Sequence, residues 1–132
     1  MSLKRINPES LAPATGFSHA VVAEGTKLIF LAGQTALDPT GKVVGQTIVE
    51  QFRVALTNIL TALSAAGGTP DHLAKLTIYA VDPEDYRANA RGISAVWKEL
   101  MGRDYPAMAL VGVVRLWDVD AQVEIEGIAV LP

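Results

Sequence analysis

Residues 105–131 read YPAMALVGVVRLWDVDAQVEIEGIAVL, and this stretch decides the fold. Its first half, Ala107 to Leu116, is apolar at almost every position. A strand apolar on both faces must be covered on both faces. The second half, Ala121 to Leu131, alternates instead. Val123 and Ile125 point to one side, Glu124 and Glu126 to the other. Trp117-Asp118-Val119-Asp120 turns the chain between the two. In so small a domain, cover on the second face has to come from another copy, so the strand predicts a homo-oligomer.

Working outward, the preceding segment is helical. Asp82 and Pro83 open it, and it runs to about Gly102 with the stripe Tyr86, Ala90, Ile93, Val96, Trp97, Leu100 and Met101. Leu73 to Val81 is β-rich and reads as a strand, preceded by a short helical start with Thr69 as cap and Pro70 at the first helical position. A longer helix follows Gly45 and reaches Ala66, burying Ile48, Phe52, Ala55, Leu56, Ile59, Leu63 and Ala66 at three- and four-residue steps. Gly67-Gly68 ends it, because glycine takes a left-handed terminal position without penalty. Before that, Asp38-Pro39-Thr40-Gly41 is a turn, and His19–Glu24 and Lys27–Leu31 read as a hairpin across Gly25-Thr26. Asn7 to Gly16 is an extended loop rich in breakers, and Met1-Ser2-Leu3 carries no functional weight. The order ββαβαββ predicts an α+β fold: one sheet with two helices on one face, a ferredoxin-like split βαβ arrangement.

Composition narrows the function. The 132 residues fit a single domain spanning 1–132, and half of them are hydrophobic. With no cysteine there is no disulfide, thiolate nucleophile or cysteine-bound metal. The net charge of −3, with cations scattered among acids, argues against a nucleic-acid partner. No stretch reaches the ~18 apolar residues of a membrane span, and no apolar signal core follows Met1, so a cytoplasmic location is expected. His19 and His72, without a close acidic pair, make no metal site, and the glycines fit no phosphate-binding spacing. No cofactor is expected.

Taken in order, several segments resemble one family. They are Ala12-Pro13-Ala14 with Gly16-Phe17-Ser18-His19-Ala20, then Ala32-Gly33-Gln34, Asp38-Pro39-Thr40-Gly41, and Glu50-Gln51 with Asn58 and Ala65-Ala66-Gly67. Tyr105-Pro106-Ala107 and Val123-Glu124-Ile125-Glu126-Gly127-Ile128-Ala129 complete the set. The chain is similar over essentially its whole length to the Rid (reactive intermediate deaminase) family, also called the YjgF or endoribonuclease L-PSP family. The resemblance implies a chorismate-mutase-like fold, a homotrimer, and small-molecule ligands held between subunits. It implies hydrolysis of enamines or imines to a 2-keto acid and ammonia.

The same resemblance exposes departures. The family's deaminating members carry an arginine after Pro-Ala, which grips the substrate carboxylate in a bidentate fork; here that position is Met108. Met108 then lines either a subunit interface or a more apolar pocket. The family's tyrosine is Phe17 and its cysteine is Leu110. Its asparagine, by the usual spacing back from Pro106, falls on Arg91, with Asn89 two positions earlier. Either Asn89 is shifted by an insertion, or Arg91 occupies the site; Arg91 replaces the missing anion anchor if it faces the cleft, and otherwise lies on a solvated helix face. Gly33 ends a strand where a backbone N–H can reach a ligand, or where the strand bends. Glu124 matches a glutamate that positions water, and as a carboxylate on an apolar surface it can act as base; the alternative is an interface charge paired with a residue such as Arg115. Glu126 and His19 read as structural. The sequence therefore predicts a trimer with Glu124 as the catalytic group and Phe17, Gly33, Arg91 and Met108 around the substrate. It is either an imine deaminase of altered range or a non-catalytic ligand-binding trimer. An endoribonuclease is the third reading.

Overall fold

The structure is a computed structural model, and it describes residues 3–132. In chain order its elements are β1 (Leu3–Ile6), β2 (Ala20–Ala23), β3 (Lys27–Gln34), α1 (Ile48–Ala65), a 3₁₀ turn (Pro70–His72), β4 (Leu73–Ala80), α2 (Pro83–Ala88), α3 (Ala90–Met101), β5 (Ala107–Gly112) and β6 (Val123–Leu131). Four strands form one sheet in the order β3-β6-β4-β5, with β5 parallel to β4 and the other pairs antiparallel. The helices cover one face, and this mixed α+β arrangement is the one the element order predicts. No helix of the described residues is long and apolar enough to cross a membrane.

The core lies between that face and the helices. Leu76, Ile78, Val123, Ile125 and Ala129 of the sheet meet Phe52, Leu56, Ile59 and Leu63 of α1 and Ile93, Val96 and Trp97 of α3. Of the stripe expected on α1, only Ala66 lies outside the core: it is the exposed C-cap. Thr47 caps the other end and accepts from the Glu50 N–H, while the Glu50 carboxylate accepts from the Thr47 N–H. At the C-terminus the Gly68 N–H reaches the Leu63 carbonyl at 2.9 Å and the Gly67 N–H the Ser64 carbonyl at 3.0 Å, with Gly67 at φ 93°.

Three expectations are corrected. The hairpin between His19–Glu24 and Lys27–Leu31 does not form: β2 pairs with β1, and β3 pairs with β6. The connection explains why. Thr26 donates to the Leu131 carbonyl at 2.9 Å, and a Cβ on Gly25 would lie 2.3 Å from that oxygen. The turn is thus seated on the end of β6, and β3 runs on along β6. The strands also do not all join one sheet: β1 and β2 form a separate ladder. A single bridge, Ser18 to Ala107, fastens it to the free edge of β5, with the Ser18 hydroxyl donating to the Tyr105 carbonyl at 2.7 Å. Leu3–Ile6, assigned to no element from the sequence, thereby become a strand. Third, the helix expected from Asp82 to Gly102 is broken. Asn89 lies between α2 and α3, and its side-chain amide donates to the carbonyl and carboxylate of Asp85 at 2.8 and 3.0 Å. An asparagine that bonds backbone in this way competes with helix continuation.

The other sheet face is open. Leu28 and Phe30 of β3 are 61% and 72% exposed there, and Val111 is exposed on the same face at the other edge strand, β5. Beyond β5 the loop carries Val114 at 99% and Trp117 at 87%. Apolar surface of this kind is characteristic of an interaction site.

Candidate functional site

Between β5, α3 and the Thr15–Phe17 segment lies a cavity of about 500 Å³. The register of β5 on β4 sets its floor. Met108 pairs with Leu76 and Leu110 with Ile78, so both face the helices. Phe17 closes the side, with its ring edge-on to His19 at 5.0 Å. The His19 ring in turn hydrogen-bonds the Ala12 carbonyl at 2.7 Å, and the His19 backbone N–H donates to Asn7 Oδ1 at 2.8 Å. It fastens the opening loop, in agreement with a structural reading. Trp97 stacks on Tyr105 at 4.9 Å and donates to the Asp104 carbonyl at 3.2 Å, which fixes the inner wall.

Arg91, in the first turn of α3, is the one charged residue lining this cavity. It is exposed and so stands at the mouth. Asn89 is turned back onto α2 by its bonds to Asp85 and does not line the cavity. Tyr86 also borders the cavity, and burial pushes its hydroxyl up to about 12, leaving a neutral phenol that can donate a hydrogen bond.

Gly33 and Glu124 meet elsewhere. Glu124 pairs with Tyr79 across the ladder and therefore lies on the sheet face opposite Met108. β3 is irregular between Leu31 and Gln34, and a Cβ added to Gly33 would sit 2.3 Å from Glu124 Oε2. The close approach requires glycine. Burial, then the charges of Asp118 and Glu126, raise the Glu124 carboxyl above its ordinary value. Asp118 accepts from the Thr35 hydroxyl at 2.7 Å, and Glu126 accepts from the Tyr79 hydroxyl. The ion pairs of the described residues are Arg5–Asp104 and Arg53–Glu99, so Arg115 does not neutralise Glu124 within the chain.

The sequence-predicted residues thus fall into two sets. Phe17, Arg91 and Met108 share the cavity; Gly33 and Glu124 share the opposite face. Within one chain the sheet separates them. Sequence reasoning assigned Tyr86 and Trp97 to the helical stripe alone; that both also border a cavity depends on the packing of α2 and α3 over β5. Among the described residues no cluster of three histidine or acidic side chains could hold a metal ion.

Comparison with known proteins gives a consistent assignment. The Endoribonuclease L-PSP family model matches residues 7–131. The RutC family protein PH0854 of Pyrococcus horikoshii is 36% identical over 123 residues, covering 92% of this chain and 90% of that protein. The 2-iminobutanoate/2-iminopropanoate deaminase of Capra hircus is 35% identical over 131 residues, covering 97% and 90%. Among solved structures, the Rid-family protein YyfB of Yersinia pestis, described as of unknown function, superposes with a TM-score of 0.88 at 34% identity, covering 99% of this chain and 100% of that one. The chain belongs to the Endoribonuclease L-PSP family, the Rid family that its sequence resembles.

Proposed function

We propose that this protein is a cytoplasmic homotrimeric imine deaminase whose site is completed between copies, with Arg91 holding the substrate anion in place of the arginine that Met108 replaces. The carrying observation is the division of the site: Arg91, Phe17 and Met108 border one cavity, while Glu124 lies against Gly33 on the opposite face. In the proposed trimer the neighbouring copy turns its own open face, with its Glu124, toward the cavity mouth of this one. The exposed Leu28, Phe30 and Val111 supply the apolar surface for that packing. The deaminase named above, 35% identical over nearly the whole chain, supports the reaction class.

The chemistry follows from those groups. Water attacks the imine carbon while Glu124 accepts one of its protons. A carboxyl raised by burial is the better base near neutrality. The C=N pair moves to nitrogen, and the proton held by Glu124 passes to it. Glu124 then takes the carbinolamine's hydroxyl proton and passes it to the amine, so that the C–N bond breaks as the C=O bond forms and ammonia leaves. The Gly33 region supplies backbone against the Glu124 carboxylate and keeps it aimed.

The test is ammonia release from 2-imino acids generated in situ by an amino-acid oxidase. Wild type should accelerate decay at least about tenfold over buffer, and Glu124→Gln should lose most of that. A wild type that accelerates no imine refutes the reading. In that case ligand binding without turnover remains, and the cavity favours that alternative in one respect: no aspartate, glutamate or histidine lines it.

A further inference from the structure

Building on this proposed function, we infer that the substrate carries a large apolar side chain, an aromatic ring in first place, lodged in the cavity beneath Trp97 with its carboxylate at Arg91.

The size of the cavity is the first argument. About 500 Å³ lies within the range of sites that enclose a drug-sized molecule. A three-carbon acid would leave most of it filled with water against apolar walls.

The chemistry of the walls is the second. Phe52, Ile78, Ile93 and Trp97 are nearly fully buried core residues that back the cavity, and the surface open to a ligand comes chiefly from Phe17, Met108 and Leu110. Met108 and Leu110 line the β5 side. A thioether adapts its shape to an apolar ligand and carries no charge into the chamber, whereas a guanidinium in the same place would. The replacement that removes the family's anion anchor therefore also lengthens the apolar chamber.

Charge is the third. With Arg91 as the one charged lining residue, the cavity suits a monoanion. Because Arg91 is exposed at the mouth while the apolar walls lie behind it, the ligand enters tail first. Neutral Tyr86 and the Ser94 hydroxyl border the cavity and can donate to the carboxylate or to the imine nitrogen. These features together select an apolar tail and an anionic head.

The experiment measures binding and turnover separately. Calorimetric titration compares phenylpyruvate, pyruvate and phenylacetone, the last having a methyl group where the acid has its carboxylate. Each well-fitting apolar group adds about tenfold, so phenylpyruvate should bind at least about a hundredfold tighter than pyruvate. Phenylacetone should bind about tenfold or more weaker than phenylpyruvate, and Arg91→Gln should erase that difference. Ser94→Leu, which narrows the chamber, should weaken phenylpyruvate selectively. Turnover is then read on the imines of phenylalanine and alanine. Tight phenylpyruvate binding without turnover of either imine sinks the deaminase reading and leaves the ligand class standing. Faster turnover of the alanine imine, or pyruvate binding as tightly as phenylpyruvate, overturns the ligand class and leaves the deaminase. Phenylpyruvate affinity unchanged in Arg91→Gln also overturns the inference.

Discussion

Replacing Gln51 by leucine tests how the loop that carries the acidic face is held. Gln51 is a side chain of nearly leucine size, 2% exposed within α1. Its amide donates to the carbonyls of Gly45 at 3.1 Å and Asp120 at 3.3 Å, and its oxygen accepts from the Gln122 N–H at 2.8 Å. One side chain therefore ties the helix start to the β5–β6 connection, which also carries Asp118. Leucine keeps the volume and removes all three bonds. Each is worth about 1 kcal/mol net, and a buried donor left unpaired costs about 1–3 kcal/mol. The apolar gain of leucine offsets part of this, so the expected loss is about 2–4 kcal/mol. For a domain of this size that lowers the melting temperature by roughly 10 °C. The assay is urea unfolding at fixed protein concentration, since an oligomer's midpoint depends on it. Amide exchange at Gln122 should accelerate as well. A Gln51→Leu protein within about 0.5 kcal/mol of wild type would refute the clamp.

Two further outcomes follow from the acidic face. Gly33→Ala places a methyl against the far end of the Glu124 side chain, which can swing away. Stability should change by less than about 1 kcal/mol, while imine turnover falls at least about tenfold because the carboxylate is displaced; retained turnover would contradict it. For pH, the folded-state Glu124 carboxyl is raised above its ordinary 4.5, so the protonated form is the favoured one. Its contribution to stability is complete below that ordinary value and is lost as pH rises through the raised one. The melting temperature of Glu124→Gln relative to wild type should therefore increase as pH rises above the ordinary carboxyl value of 4.5. A difference independent of pH would show that the carboxyl is not perturbed.

The sequence made the layers legible because the layers are written in periodicity. The stripe Phe52, Leu56, Ile59, Leu63 and the alternation of Val123 to Leu131 each fix a face, and each face is the one observed. Strand pairing was less legible. Nothing local in Ala20–Ala23 says that its partner is Leu3–Ile6 and not the strand across a three-residue turn; the seat of Gly25 on β6 decides it. The capping box Thr47–Glu50 was readable and marks the helix start better than Gly45 does. The break at Asn89 depends on whether an asparagine side chain bonds backwards or faces solvent, a choice made by α2 packing. Site residues were named one by one from resemblance. Their separation onto two faces required the parity of β5 against β6, which depends on both strands' register with β4.

The proposed site is shared between copies, and mixing two variants tests that most directly. Arg91→Gln lacks the anchor, and Glu124→Gln lacks the base. Each alone should be nearly inactive on the phenylalanine-derived imine. Refolded together at equal amounts into the proposed trimer, about one quarter of the sites would combine Arg91 from one copy with Glu124 from its neighbour. The account predicts that activity returns to about a quarter of wild type. A mixture no more active than the mean of its two components would contradict it, because the two groups would then not serve one site across the interface.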